Sequence, residues 1–111
     1  MKKTTKLKSI IAGALAFGLL LPAGSSLAYD SSGQTFTKSW QLGDNGTNWE
    51  IKYGFNKFAV DEDYTKTLHM TRSHIAKVFN GSGTHADSDA KGNWAGIEVT
   101  HKGSTVYYYI E

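Results

Sequence analysis

The sequence predicts an all-β domain, a small antiparallel β-sandwich of two short sheets with about six strands. Three observations point there. Apolar and polar residues alternate with a period of two, most cleanly in Trp49-Glu50-Ile51-Lys52-Tyr53-Gly54-Phe55. Turn-forming clusters, Gly43-Asp44-Asn45-Gly46 and Asn80-Gly81-Ser82-Gly83 among them, break the chain at short intervals. Beyond residue 28 no stretch repeats convincingly with the period of a helix. Short strands joined by such turns suit a sandwich or barrel.

The strands follow in order. Gln34 to Leu42 sets Phe36, Trp40 and Leu42 on one side. After the Gly43–Gly46 turn, Trp49 to Phe55 sends Trp49, Ile51, Tyr53 and Phe55 one way and Glu50 and Lys52 the other. Phe58 to Asp63 ends in three acids and reads as a loop. Thr65 to Met70 reads as a short strand, and Ser73 to Asn80 as a stronger one, stopped by Asn80-Gly81-Ser82-Gly83. A helix over Tyr64 to Phe79 competes with these two strands, but Thr and β-branched residues disfavour it. Thr84 to Lys91 reads as a polar loop. Trp94 to Thr100 alternates, with Ala95, Ile97 and Val99 on one face, and Thr105 to Ile110 closes the sheet. The expected core contains Trp49, Ile51, Tyr53, Trp94, Ile97 and Val99.

Residues 1–28 have a different character. Lys2, Lys3, Lys6 and Lys8 form a positive head, Ile10 to Leu21 is an uncharged run of 12 residues, Pro22 breaks it, and Ser26-Leu27-Ala28 supplies small residues. This is the pattern of a secretory signal peptide with cleavage expected after Ala28. The apolar run is shorter than the roughly 20 residues a membrane-spanning helix needs. The expected organisation is a signal peptide over 1–28 and one β-sandwich domain over 29–111, secreted and extracellular.

Cleavage would reverse the charge. The whole chain has 12 basic and 10 acidic residues, net +2; without the four leader lysines, eight basic face ten acidic residues, net −2. A net-negative domain is ill suited to general binding of nucleic acid or anionic lipid. With no Cys in the chain, disulfides and thiolate chemistry are excluded. Three Trp, six Tyr and four Phe remain after residue 28, and aromatic burial takes the place of covalent staples.

Chemistry-bearing motifs are few. His69, His74, His85 and His101 lack the close spacing of metal-ligand pairs, so no metal and no cofactor is expected. There is no nucleophile elbow and no phosphate-binding glycine loop, so no enzyme is expected. One segment is distinctive: Thr65 to Ala86 contains no acid but holds Lys66, Arg72 and Lys77 together with His69, His74 and His85. Lys and Arg bind phosphate oxygens, Arg often through two bonds at once. Lys66, Arg72, Lys77 and His74 are therefore the candidate target-binding residues, with Arg72 and His74 expected on one face and Lys77 on the other. Lys52 falls outside this strip. Tyr107-Tyr108-Tyr109 must place tyrosine on both faces of a strand. An outward Tyr107 or Tyr109 is either an oligomer contact, as in a homodimer, or part of a binding surface.

Four stretches, taken in order, carry a likeness. Trp49-Glu50-Ile51-Lys52-Tyr53-Gly54, Ser73-His74-Ile75-Ala76-Lys77-Val78-Phe79-Asn80, Gly92-Asn93-Trp94-Ala95 with Val99 following, and Val106-Tyr107-Tyr108 resemble elements of the lactococcin 972 family of secreted bacteriocins. The resemblance runs from about Trp49 to the C-terminus. Two features depart from it: the extra segment Tyr29 to Asn48 and the acid run Asp61-Glu62-Asp63. The resemblance implies a sandwich of two antiparallel sheets and an exported antibacterial protein. It also implies interference with cell-wall assembly through the membrane-bound precursor lipid II. The partners implied are a cell-wall precursor or envelope component of related bacteria, and immunity or export proteins of the producer. The alternative is an exported surface β-domain that binds protein or glycan without killing.

Overall fold

The computed structural model describes residues 21–111. The leader's basic head and most of its apolar run, residues 1–20, lie outside the described residues. Eight strands form two four-stranded antiparallel sheets. One sheet has the order β1 (Leu27–Asp30), β8 (Tyr107–Ile110), β5 (His74–Asn80), β6 (Gly83–Asp89). The other has the order β2 (Trp40–Asn45), β3 (Trp49–Asn56), β4 (Glu62–His69), β7 (Ala95–Thr100).

The inner faces meet in one core of Leu21, Trp49, Ile51, Tyr53, Val78, Val106, Tyr108 and Ile110. Leu27, Tyr29, Phe36, Trp40, Leu42, Ile97 and Val99 pack against it. Aromatic rings dominate: Tyr53 lies 4.9 Å from Tyr108 and 5.2 Å from Tyr29, and Trp40 meets Tyr108 edge-on at 6.0 Å. Close pairing of neighbouring strands within a sheet also demands a small residue. At Gly54 a Cβ would fall 2.1 Å from the Trp40 carbonyl oxygen, so β2 and β3 can pair there only around glycine.

Several sequence expectations need correction. There are eight strands where about six were expected. The added ones are β1 and β6, the second formed by residues read as a polar loop. An edge strand needs little apolar surface, because backbone pairing on one side sustains it. β6 follows β5 through the two-residue turn Gly81-Ser82, where the Asn80 side chain accepts a bond from the Ser82 N–H at 2.9 Å and Gly83, at φ 108°, opens the returning strand. β2 runs through Asn45, so the turn falls at residues 46–48 and not at Gly43–Gly46. The acid run is no solvated loop throughout, since Glu62 and Asp63 open β4 and Asp63 is fully buried. The stretch considered as a helix over Tyr64–Phe79 is β4 and β5. Trp94 precedes β7 and is 43% exposed, so it is not a core residue.

A buried polar network crosses between the sheets. Asp63 accepts bonds from His101 Nδ1 at 2.9 Å and from Asn80 Nδ2 at 2.9 Å. Asn80 also donates to the Thr100 carbonyl at 3.0 Å. Asp63 belongs to one sheet and Asn80 to the other, so their bond ties the layers together. Phe36 covers the His101 ring with centroids 4.1 Å apart.

Candidate anion-binding surface

Cross-strand register decides which charged side chains meet. Lys52 on β3 stands directly opposite Lys66 on β4, and the same row continues to Gly43 on β2 and Gly96 on β7. The inward partners of this face are Ile51, Tyr53, Thr65 and Thr67, so both lysines point outward. Like charges directly opposite each other disfavour the sheet. Neither lysine forms an ion pair among the described residues, although Glu50 and Glu98 occupy the adjoining rows of the same face.

Aromatic rings hold the two ammonium groups. Lys52 Nζ lies 5.3 Å from the Trp94 ring and Lys66 Nζ lies 5.8 Å from the Tyr64 ring. Tyr64 is itself fixed, its hydroxyl donating to Gln41 Oε1 at 2.8 Å across Gly54. Burial pushes the Tyr64 pKa up to about 12, with the Glu98 carboxylate adding to the effect, so it stays a neutral donor. Gln41, Lys52, Lys66, Trp94, Ala95 and Gly96 line a shallow, open groove of about 510 Å³. With glycine at both ends of the lysine row, no side chain crosses it. The result is a flat cationic floor with an indole at one side, suited to an extended anion and not to a deeply enclosed substrate.

The acid-free segment does not form one strip. Lys66 and Lys77 lie on opposite outer faces, because β4 and β5 belong to different sheets. Lys77 pairs with Glu111 and sits 5.5 Å from the Tyr109 ring. Arg72 lies in the turn after β4 and bonds the carbonyls of Leu21, Pro22 and Ser73. His74 is 2% exposed and its Nε2 meets the Thr67 carbonyl at 3.1 Å, so it offers nothing to a ligand on the surface. Tyr107 and Tyr109 share the outer face of the β1-β8-β5-β6 sheet, where Tyr107 lies 6.2 Å from Phe79. Sequence reasoning missed Lys52 and the outward role of Trp94. The two-residue alternation did put Lys52 on the polar side of β3, but only the β3–β4 register reveals its neighbour.

The remaining histidines and acids are engaged as follows. The imidazole of His101 is oriented by Asp63, yet the Ser82 hydroxyl bonds Asn80 at 2.7 Å and His85 at 2.9 Å, not His101. Among the described residues no three His, Asp or Glu side chains gather as metal ligands would.

No curated protein and no solved structure matches the chain. The family model described as Bacteriocin (Lactococcin_972) matches residues 45–109, which span β3 to all but the last residue of β8. That is well over half of the sequence, and the chain belongs to the lactococcin 972 family of bacteriocins.

Proposed function

We propose that this bacteriocin acts outside the producing cell, after loss of residues 1–28, by binding an anionic cell-envelope component without catalysing a reaction. The target is the pyrophosphate of the wall precursor lipid II, and its capture interferes with cell-wall synthesis. The observation that carries this reading is the Lys52–Lys66 pair, two cations set side by side with no acid partner. A pyrophosphate brings two adjacent anionic groups to two adjacent ammoniums, and it relieves their mutual repulsion. The domain's net charge of −2 beyond residue 28 argues for local recognition and against general adhesion to anionic membrane.

Co-sedimentation with lipid vesicles that contain or lack lipid II tests the site. Lys52→Glu and Lys66→Glu should each abolish lipid II-dependent binding while the far-UV spectrum stays native. Lys77→Glu, on the opposite face, should bind as the parent does. Equal binding by all three variants would remove the lysine pair from the mechanism. A second reading, an exported domain that binds protein or glycan, is favoured by Phe79 and Tyr107, 43% and 38% exposed on the other sheet. Killing of related bacteria by the purified protein, lost in the Lys52 and Lys66 variants, separates the two.

A further inference from the structure

Leu21 lies outside every strand, yet it is among the most firmly held residues of the molecule. Its side chain is 4% exposed within the core cluster. Its carbonyl oxygen faces Arg72 Nε at 3.3 Å, Arg72 Nη2 at 3.3 Å and His69 Nε2 at 3.2 Å. Arg72 Nη2 also reaches the Pro22 carbonyl at 3.3 Å. The tautomer of His69 follows from its other nitrogen: Nδ1 accepts the Thr71 N–H at 3.3 Å, so Nε2 carries the proton and donates. Burial lowers the His69 pKa below the ordinary 6.5, which keeps the ring neutral in that arrangement.

Cleavage after Ala28 would detach Leu21 and Pro22 from this site. The cut falls within β1 and also removes Leu27 and Ala28, whereas Tyr29 and Asp30 remain paired with Tyr108 and Tyr107, and the chain beyond the cut has its own anchors. Tyr29 donates to Asp44 at 2.7 Å and stacks on Tyr53 at 5.2 Å. Ser31 binds Val106 through the backbone N–H and through the side chain, both at 3.0 Å. What the departing segment leaves is a guanidinium without an ion-pair partner among the described residues, a buried imidazole N–H, and an apolar recess shaped by a leucine.

We infer that processing after Ala28 opens a second binding site, formed by Arg72, His69 and the recess under Leu21, which takes the terminal carboxylate of a peptide ending in an aliphatic residue. Of the three carbonyl oxygens now held by the guanidinium, that of Ser73 stays with Nη1, while those of Leu21 and Pro22, held by Nε and Nη2, belong to successive residues and leave together. One carboxylate presents two oxygens to the same fork, and its charge strengthens the bonds. Its aliphatic side chain refills the recess, and its oxygen restores the partner that buried His69 loses. This site is distinct from the Lys52–Lys66 row. His69 continues the inward set Asp63, Thr65 and Thr67 of β4, whereas Lys66 points outward.

The inference rests on the export reading, and the test is built so that the two fail separately. The intact mass of protein recovered from culture supernatant fixes where the chain begins. A chain that begins at Tyr29 should show a melting temperature that rises with added N-acetyl-leucine and not with N-acetyl-leucinamide. Arg72→Gln and Arg72→Lys, the second keeping the charge but losing the fork, should each weaken the response about tenfold or more. Lipid II binding through Lys52 and Lys66 should survive both substitutions. Equal stabilisation by the amide, no response to either compound, or a secreted chain that retains residues 21–28 would each overturn the second site while leaving the lysine pair untouched. Loss of lipid II binding in folded Arg72 variants would also overturn it, by merging the two sites into one.

Discussion

Replacing Asp63 by Ala should cost this small domain much of its stability. The carboxylate is fully buried, and it holds His101 Nδ1 and Asn80 Nδ2, each at 2.9 Å. Asn80 is 3% exposed and cannot turn to water for a replacement. A hydrogen bond to a charged group contributes about 1.5–3 kcal/mol, and a buried donor left without its acceptor costs about 1–3 kcal/mol. Asn80 keeps its bond to the Thr100 carbonyl and the His101 side chain retains 16% exposure, so the loss of the two bonds to the carboxylate comes to about 3 kcal/mol. At about 4–8 °C per kcal/mol for a domain of this size, the melting temperature should fall by about 12–24 °C. Asp63→Asn should lose less, because its one carbonyl oxygen can still accept from His101 or Asn80. Thermal melts followed by circular dichroism, with urea titration as a second measure, read the effect. A loss below about 1 kcal/mol for Asp63→Ala would refute the reasoning. It would mean that water reaches Asn80, and that the bond between sheets is a consequence of packing and not a support for it.

Other outcomes follow from burial. Trp94→Ala should leave the unfolding free energy within about 0.5–1 kcal/mol of the parent, because the indole is an exposed platform for Lys52; its lipid II binding in the vesicle assay should weaken, and an unfolded variant would return Trp94 to the core. Tyr108→Phe should leave stability unchanged or raise it by about 1 kcal/mol, since the Tyr108 hydroxyl is buried without a hydrogen-bond partner among the described residues; a lower melting temperature would reveal a bond that the geometry does not show. Alkali should unfold the domain cooperatively. Burial, as the largest cause, raises the pKa values of Tyr29, Tyr53, Tyr64 and Tyr108 above the ordinary 10.0, so their contribution is complete below pH 10 and lost as pH rises beyond it. Tyrosinate absorbance and circular dichroism should therefore change together, and smooth titration of all six tyrosines with the fold intact would contradict that.

What could be read from the sequence was the inward side of each strand. Trp49, Ile51, Tyr53, Ile97 and Val99 reach the core because strand geometry forces alternate residues to one face, whatever the strand pairs with. Trp94 broke the same logic. It stands one residue before Ala95, on the opposite side of the alternation, and size alone suggested burial. The basic strip failed for a different reason. Lys66, Arg72 and Lys77 are close in sequence, but the turn between β4 and β5 carries the chain from one sheet to the other. Neighbours in sequence became residents of opposite faces. Conversely, Lys52 and Lys66, hardly further apart in sequence than Lys66 and Lys77, are adjacent in space, a relation set by register and invisible to periodicity.

The strand count shows what the segment before the matched region does. Residues 45–109 contain five complete strands and most of a sixth, β3 to β8, which would give a three-stranded sheet on each side: β8-β5-β6 and β3-β4-β7. The preceding segment adds β1 to one sheet and β2 to the other, each at an edge. An open edge exposes unpaired N–H and C=O groups, and covering one in each sheet removes a route to edge-to-edge association. It also completes the core, since Tyr29 stacks on Tyr53 and Trp40 meets Tyr53 and Tyr108 edge-on. The same addition shapes the proposed surface. β2 brings Gln41, which anchors Tyr64, and Gly43, which leaves one end of the lysine row open. The segment that departs from the family likeness therefore frames the groove while Lys52, Lys66 and Trp94, all inside the matched region, supply its charge and its ring.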